Sequence, residues 1–119
     1  MPNPSVISSL RGSDSKYTDV GAGEALPPGS TMAVKIHGDS IGLYNVDGQI
    51  FAMDDLCTHD DAYLSDGDFD PSDGTVRCPR HSSRFDVRTG KPRSFPAVLP
   101  VEVYEAKIEQ GRILVLLAT

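Results

Sequence analysis

Two short segments of this 119-residue chain each offer one thiol and one imidazole: Cys57-Thr58-His59 and, eighteen residues further on, Cys78-Pro79-Arg80-His81. Soft thiolates suit iron–sulfur clusters and zinc, and imidazole suits zinc and iron. Four such ligands on two loops can close around one zinc ion or around a two-iron cluster. The spacing bears on the choice. Structural zinc sites usually carry paired ligands separated by roughly two to four residues. Cys-x-His on one side and Cys-x-x-His on the other departs from that habit. It fits a cluster in which one iron takes both thiolates and the other both imidazoles. Zinc stays open as the alternative, a stapled interaction module with no redox role. Iron content and a brown colour separate the two.

Other uses of these residue types fit less well. Cys57 and Cys78 are the only cysteines. In a secreted chain they would suggest one disulfide, but residues 1–15 lack the charged-then-apolar layout of a secretory signal. A Cys–His nucleophile pair needs a thiolate free to attack, and no apolar substrate-pocket pattern accompanies it; no catalytic residue is assigned. His37 has no thiol or imidazole near it in sequence and reads as an ordinary residue. Asp66, Asp68 and Asp70 alternate like the start of a calcium loop. Pro71 then stands where an EF-hand requires Gly, and Arg77 where it requires Glu.

The elements that must position the four ligands read as β throughout. No ten-residue stretch carries a 3.6-residue period. Residues 31–37 alternate, with Met32, Val34 and Ile36 on one face and Thr31, Lys35 and His37 on the other. Residues 41–46 and 49–53 are β-prone, and Asp47-Gly48 between them predicts a two-residue hairpin turn. A second hairpin spans residues 98–117 and turns at Gln110-Gly111. Its first strand shifts parity between Val103 and Tyr104, which predicts a β-bulge. Its second strand, residues 113–117, is apolar on both faces and so belongs inside a sheet. Between the hairpins lies a long insertion, residues 54–97, rich in Asp, Gly, Pro and Ser. A loop of that length in a small domain needs an organiser, and a metal centre would supply one. The length fits one domain, residues 16–119, behind a polar lead-in at 1–15.

Net charge is −6 and the isoelectric point near 4.8, which argues against nucleic-acid binding, since phosphate contacts need basic patches. The charge is segregated. Residues 54–73 hold eight Asp and no Lys or Arg, whereas Arg77, Arg80, Arg84, Arg88, Lys91 and Arg93 face a single Asp within residues 77–93. That pattern suits either two solvated loops or a polar docking face. No apolar run approaches the length of a membrane-spanning helix, so no membrane contact is expected and a cytoplasmic location is the simplest expectation.

Residues 57–97 carry Cys57-Thr58-His59, Leu64-Ser65-Asp66-Gly67, Cys78-Pro79-Arg80-His81, Phe85-Asp86-Val87-Arg88-Thr89-Gly90-Lys91 and Pro96-Ala97. This set resembles Rieske ferredoxins, most closely the ferredoxin components of bacterial aromatic-ring dioxygenases. More weakly, the likeness runs through residues 45–52 and into the last hairpin. The resemblance implies an all-β Rieske fold: an antiparallel β-sandwich base with an inserted cluster-binding subdomain. It implies one [2Fe–2S] cluster, with Cys57 and Cys78 on the inner iron and His59 and His81 on the outer. It also implies a monomeric electron carrier, itself not an enzyme, between a flavin-containing reductase and a terminal oxygenase in aromatic compound degradation.

Departures from relatives are informative. Rieske proteins of respiratory complexes carry two further cysteines in a disulfide; the matching positions here are Ala62 and Arg80. Oxygenase large subunits carry a second domain with a mononuclear iron, for which this chain is too short. Where these ferredoxins commonly follow the last ligand with Gly and Ala, this chain has Ser82 and Ser83. Phe85 stands where high-potential relatives place a Tyr that donates to a Cys sulfur. Asp60 and Asp61 next to His59 disfavour added negative charge. The low end of the Rieske range, which spans about −150 to +300 mV, is therefore expected.

Overall fold

Three pairs ending in Gly turn the chain back on itself. His37-Gly38, Asp47-Gly48 and Gln110-Gly111 have positive φ at both positions, 53° and 88°, 54° and 93°, 53° and 78°. Paired positive φ matches a two-residue turn to the right-handed twist of its strands. The second and third were expected. The first was not: the apolar alternation of residues 31–37 hid a strand that stops at Ile36 and leaves His37 exposed in the turn.

The computed structural model describes residues 17–57, 62–80, 83–94 and 99–117; the lead-in at 1–15 lies outside them. The strands are β1 Tyr17–Ala22, β2 Thr31–Ile36, β3 Asp39–Val46, β4 Gln49–Asp54, β5 Asp68–Asp70, β6 Thr75–Arg77, β7 Arg84–Asp86, β8 Val103–Glu109 and β9 Arg112–Leu116. All named pairings are antiparallel. Six strands form one sheet in the order β1-β9-β8-β4-β3-β2, and β5-β6-β7 form a second. The strand with apolar residues on both faces, β9, lies inside its sheet as expected, between β1 and β8. No helix among the described residues is long and apolar enough to cross a membrane.

Two cores follow from the alternation of side chains across β3 and β4. Ile41, Leu43, Ile50 and Ala52 point to one side, where they join Leu26, Ile36, Ile113 and Val115. All six strands of the larger sheet send residues to this cluster, so the sheet curls around it. Tyr44, Val46 and Met53 point to the other side and pack with Cys57, Leu64, Val76, Cys78, Phe85 and Val87. The β3–β4 hairpin is thus covered on both faces, and residues 41–46 are buried without interruption.

The parity shift before β8 has a different cause from the bulge expected. The β8 register is continuous against both neighbours, Tyr104 opposite Ala52 and Ile108 opposite Ile113. Val101 precedes the strand and packs in the second core, whereas Tyr104 and Ala106 pack against the first. The chain changes core, not register. The register shift lies in β1, between Asp19 and Gly21. The insertion holds a real sheet of three-residue strands, too short to show a period in sequence.

Candidate metal centre

Both cysteines sit at the base of hairpin tips. Beyond the end of β4, Leu64 N–H donates to the Asp55 carbonyl at 2.6 Å, and Cys57 N–H donates to the Ala62 carbonyl at 2.9 Å. Between these, Leu56 and Tyr63 form a β-bridge. In the second loop Arg77 pairs with Arg84 as the last rung of β6–β7, and Cys78 N–H donates to the Ser83 carbonyl at 2.9 Å. Each Cys therefore closes a tip of four residues, 58–61 in one case and 79–82 in the other, through the same bond. Backbone donors and acceptors are satisfied on both sides of each tip. His59 and His81 belong to these tips and lie outside the described residues, as do Thr58, Asp60, Asp61 and Ser82.

Cys57 and Cys78 are 6% and 1% exposed, share one core, and neither is in a disulfide. Buried thiols of an intact β-domain, each one loop tip away from an imidazole, form a donor set that fits a mixed thiolate–imidazole centre. A glycine lets the chain after the first loop pack closely on the chain that enters the second. The short 3-10 turn Leu64–Asp66 ends at Gly67, and a Cβ there would lie 1.7 Å from the Arg77 carbonyl oxygen and 3.2 Å from Pro79 Cδ. Its φ of −93° is ordinary; the requirement is space. The first tip's return path thus presses on the backbone that leads into Cys78.

Folding brings the acidic segment against the basic one at β5 and β6. Antiparallel pairing of β5 with β6 sets Arg77 against Asp68 at 2.8 Å, and Arg93 lies 3.4 Å from Asp86. Arg88 stacks over Phe51, 5.7 Å from the ring centroid. The surface beside Cys78 is a polar groove lined by Asp66, Asp68, Arg77 and Arg80 among others. Exposed pairs of this kind contribute little to stability.

Sequence reasoning missed two contributors. Asp55 is 1% exposed although it stands in an acidic run. Gly67 was quoted only as part of a motif. Nothing in one sequence separates a buried Asp from its solvated neighbours.

The Rieske [2Fe–2S] domain model matches residues 16–105. The chain belongs to the Rieske [2Fe–2S] family. It is 39% identical over 98 residues to the ferredoxin component of naphthalene 1,2-dioxygenase/salicylate 5-hydroxylase systems of a Ralstonia species, a match covering 82% of this chain and 92% of that one. The ferredoxin of carbazole 1,9a-dioxygenase from Nocardioides aromaticivorans superposes with a TM-score of 0.83 at 35% identity, over 87% of this chain and 99% of that one. The ferredoxin in a complex of reduced oxygenase and oxidized ferredoxin of carbazole 1,9a-dioxygenase gives 0.79 at 33% identity, over 85% and 93%. The Rieske fold expected from sequence is the fold found.

Proposed function

We propose that Cys57, His59, Cys78 and His81 hold the Rieske [2Fe–2S] cluster, and that the chain carries single electrons from a flavin-containing reductase to a terminal oxygenase acting on aromatic compounds. The observation that carries this reading is the pair of matched hairpin tips, each closed at a buried Cys and each containing one His in sequence. Ferredoxin relatives of dioxygenase systems and the oxygenase-bound ferredoxin support the pathway. When bound, such a cluster takes up and releases one electron at a potential within about −150 to +300 mV. The burial of both cysteines supports placing the thiolates on the inner iron, which leaves the imidazoles for the outer. On this reading the chain acts as a monomer in the cytoplasm, residues 16–119 form one domain, and its role is electron transfer, with no reaction of its own.

Reconstitution tests the function. With a flavoprotein reductase and its oxygenase from an aromatic-degrading system, product formation should depend on this chain loaded with two irons. A protein that binds zinc and no iron, or supports no turnover with any such pair, would remove the reading. The polar groove beside Cys78 adds an expectation: transfer rates should fall as ionic strength rises, through association more than through final affinity. Rates that stay flat would shift the contact to apolar neighbours such as Leu56 and Tyr63, both over 40% exposed.

Ser83 and Phe85 are fully buried, which takes solvent away as a partner for the Ser83 hydroxyl. A hydroxyl donating to the cluster favours the more negative reduced form. Bonds to charged groups contribute about 1.5–3 kcal/mol, of which roughly half differs between oxidation states. At about 59 mV per tenfold, Ser83→Ala should lower the potential by several tens of millivolts. Phe85→Tyr should raise it similarly where the new hydroxyl reaches a Cys sulfur. Voltammetry reads both. An unchanged potential in Ser83→Ala removes that residue from the tuning shell.

A further inference from the structure

Directly beneath the second tip the sheet register lines up charges that the sequence keeps apart. Asp68, Arg77 and Arg84 stand opposite one another across β5, β6 and β7. The chain beyond β7 lengthens the line. Pro92 bridges Phe85, and Arg93 N–H donates to the Arg84 carbonyl at 2.6 Å, which sets Arg93 on the far side of Arg84. Val76 and Phe85 alternate with these residues and are fully buried, so the row faces the other way, outward. The next rung up is the Cys78–Ser83 bond that closes the tip.

Like charges directly opposite each other destabilise a sheet. This row has two such contacts, Arg77 against Arg84 and Arg84 against Arg93. Arg77 bonds Asp68 at 2.8 Å and Arg93 reaches Asp86 at 3.4 Å, with the two arginine side chains still 45% and 51% exposed. Arg84 has no carboxylate at ion-pair distance among the described residues; its guanidinium donates to the neutral Thr75 hydroxyl at 3.3 Å. Asp70, whose carboxyl is held down by Ser72 first and by Arg84 to a lesser degree, has its Oδ1 occupied by the Ser72 N–H and hydroxyl. A guanidinium carries five N–H donors in a planar fork. The row therefore presents an anion-seeking surface on a chain whose net charge is −6. A breach of local pairing rules with no gain in stability marks a functional surface.

We infer that the Arg77–Arg84–Arg93 row is the docking surface for carboxylates on the flavoprotein reductase. This rests on the electron-carrier reading above. The choice between the two redox partners follows from charge. One electron leaves the reductase flavin and arrives at a centre whose Cys78 lies one rung from the row, so the reduced chain is more negative there by one unit. A carboxylate-bearing partner then holds the oxidised chain more tightly than the reduced one. A donor must capture the oxidised carrier and release the reduced one; an acceptor needs the opposite preference.

Binding of the iron-loaded chain to the reductase that reduces it, by titration calorimetry at low and high salt, tests this. Arg84→Gln should keep two irons, weaken the oxidised complex about three- to fivefold at low salt, and flatten its salt dependence. Arg84→Lys should restore most of the affinity, because the charge is back. Arg112→Gln removes the same unit of charge from the larger sheet, where Arg112 pairs with Asp19, and should change affinity by less than about twofold. The unaltered chain should bind the reductase more tightly when oxidised than when reduced. Equal losses in Arg84→Gln and Arg112→Gln overturn the inference. So does tighter binding of the reduced chain, or a loss in Arg84→Gln that appears with the oxygenase and not with the reductase. Should Arg84→Gln lose its iron, Arg93→Gln decides by the same comparison. Failure of every flavoprotein reductase to bind or reduce the unaltered chain would instead sink the functional reading, before any variant is compared.

Discussion

Replacing any one of Cys57, His59, Cys78 or His81 by Ala is expected to abolish the cluster. The two tips are separate hairpins, and their closing bonds, Cys57 to Ala62 and Cys78 to Ser83, lie within each tip. On the proposed ligand set a shared cluster would tie them together, and its binding free energy would be folding free energy for that part of the chain. Its loss should make residues 54–97 protease-sensitive. The base should survive, because Ile41, Leu43, Ile50, Ile113 and Val115 pack in a core that contains no ligand. Each Ala variant should thus keep its β-sheet circular dichroism, lose its iron and its electron-resonance signal, and be cut within the insertion. A Cys57→Ala protein that retains two irons and a Rieske-type resonance would overturn the ligand assignment.

Gly67→Ala is expected to damage the centre almost as much, without touching a ligand. The new Cβ would sit 1.7 Å from the Arg77 carbonyl, and that obstacle is backbone, which no rotamer change can move. Overpacking a well-filled site typically costs about 1–3 kcal/mol, and a collision with main chain belongs at the upper end. For a domain of this size, about 3 kcal/mol lowers the midpoint of thermal unfolding by roughly 10–15 °C. Because Arg77 directly precedes Cys78, relief of the clash displaces the second tip from the first, and iron occupancy should drop with stability. Gly111→Ala is the matched control. Its site is open, with nothing within 4 Å of a built Cβ, and its φ of +78° adds only local strain. It should lose about 1–2 kcal/mol and keep its iron. Equal iron loss in both would show that the effect is general destabilisation, not the contact at Arg77.

Ligand chemistry was legible in the residues alone because it depends on type and spacing. Cys57, His59, Cys78 and His81 lie close in pairs along the chain, so a thiolate and an imidazole in each loop follow without knowing the fold. The Asp47-Gly48 and Gln110-Gly111 turns were legible for a similar reason: positive φ is a local demand that few residue types meet. The motifs around Leu64-Ser65-Asp66-Gly67 were visible as a resemblance, with no physical account until the turn was seen against Arg77.

Tertiary structure decided everything that depends on which distant segments meet. Val101 and Tyr104 belong to different cores, so a parity shift that looked like a bulge is a change of neighbours. Acidic and basic runs that look separate in sequence meet in the fold, because an antiparallel turn brings Asp68 onto Arg77. Asp54 and Asp55 are adjacent and chemically identical, yet one is half-buried at a strand end and the other is enclosed by Ser40 and Ser65. Spacing along the chain determines which groups a loop can offer; burial, screening and contact depend on what the rest of the chain packs against that loop.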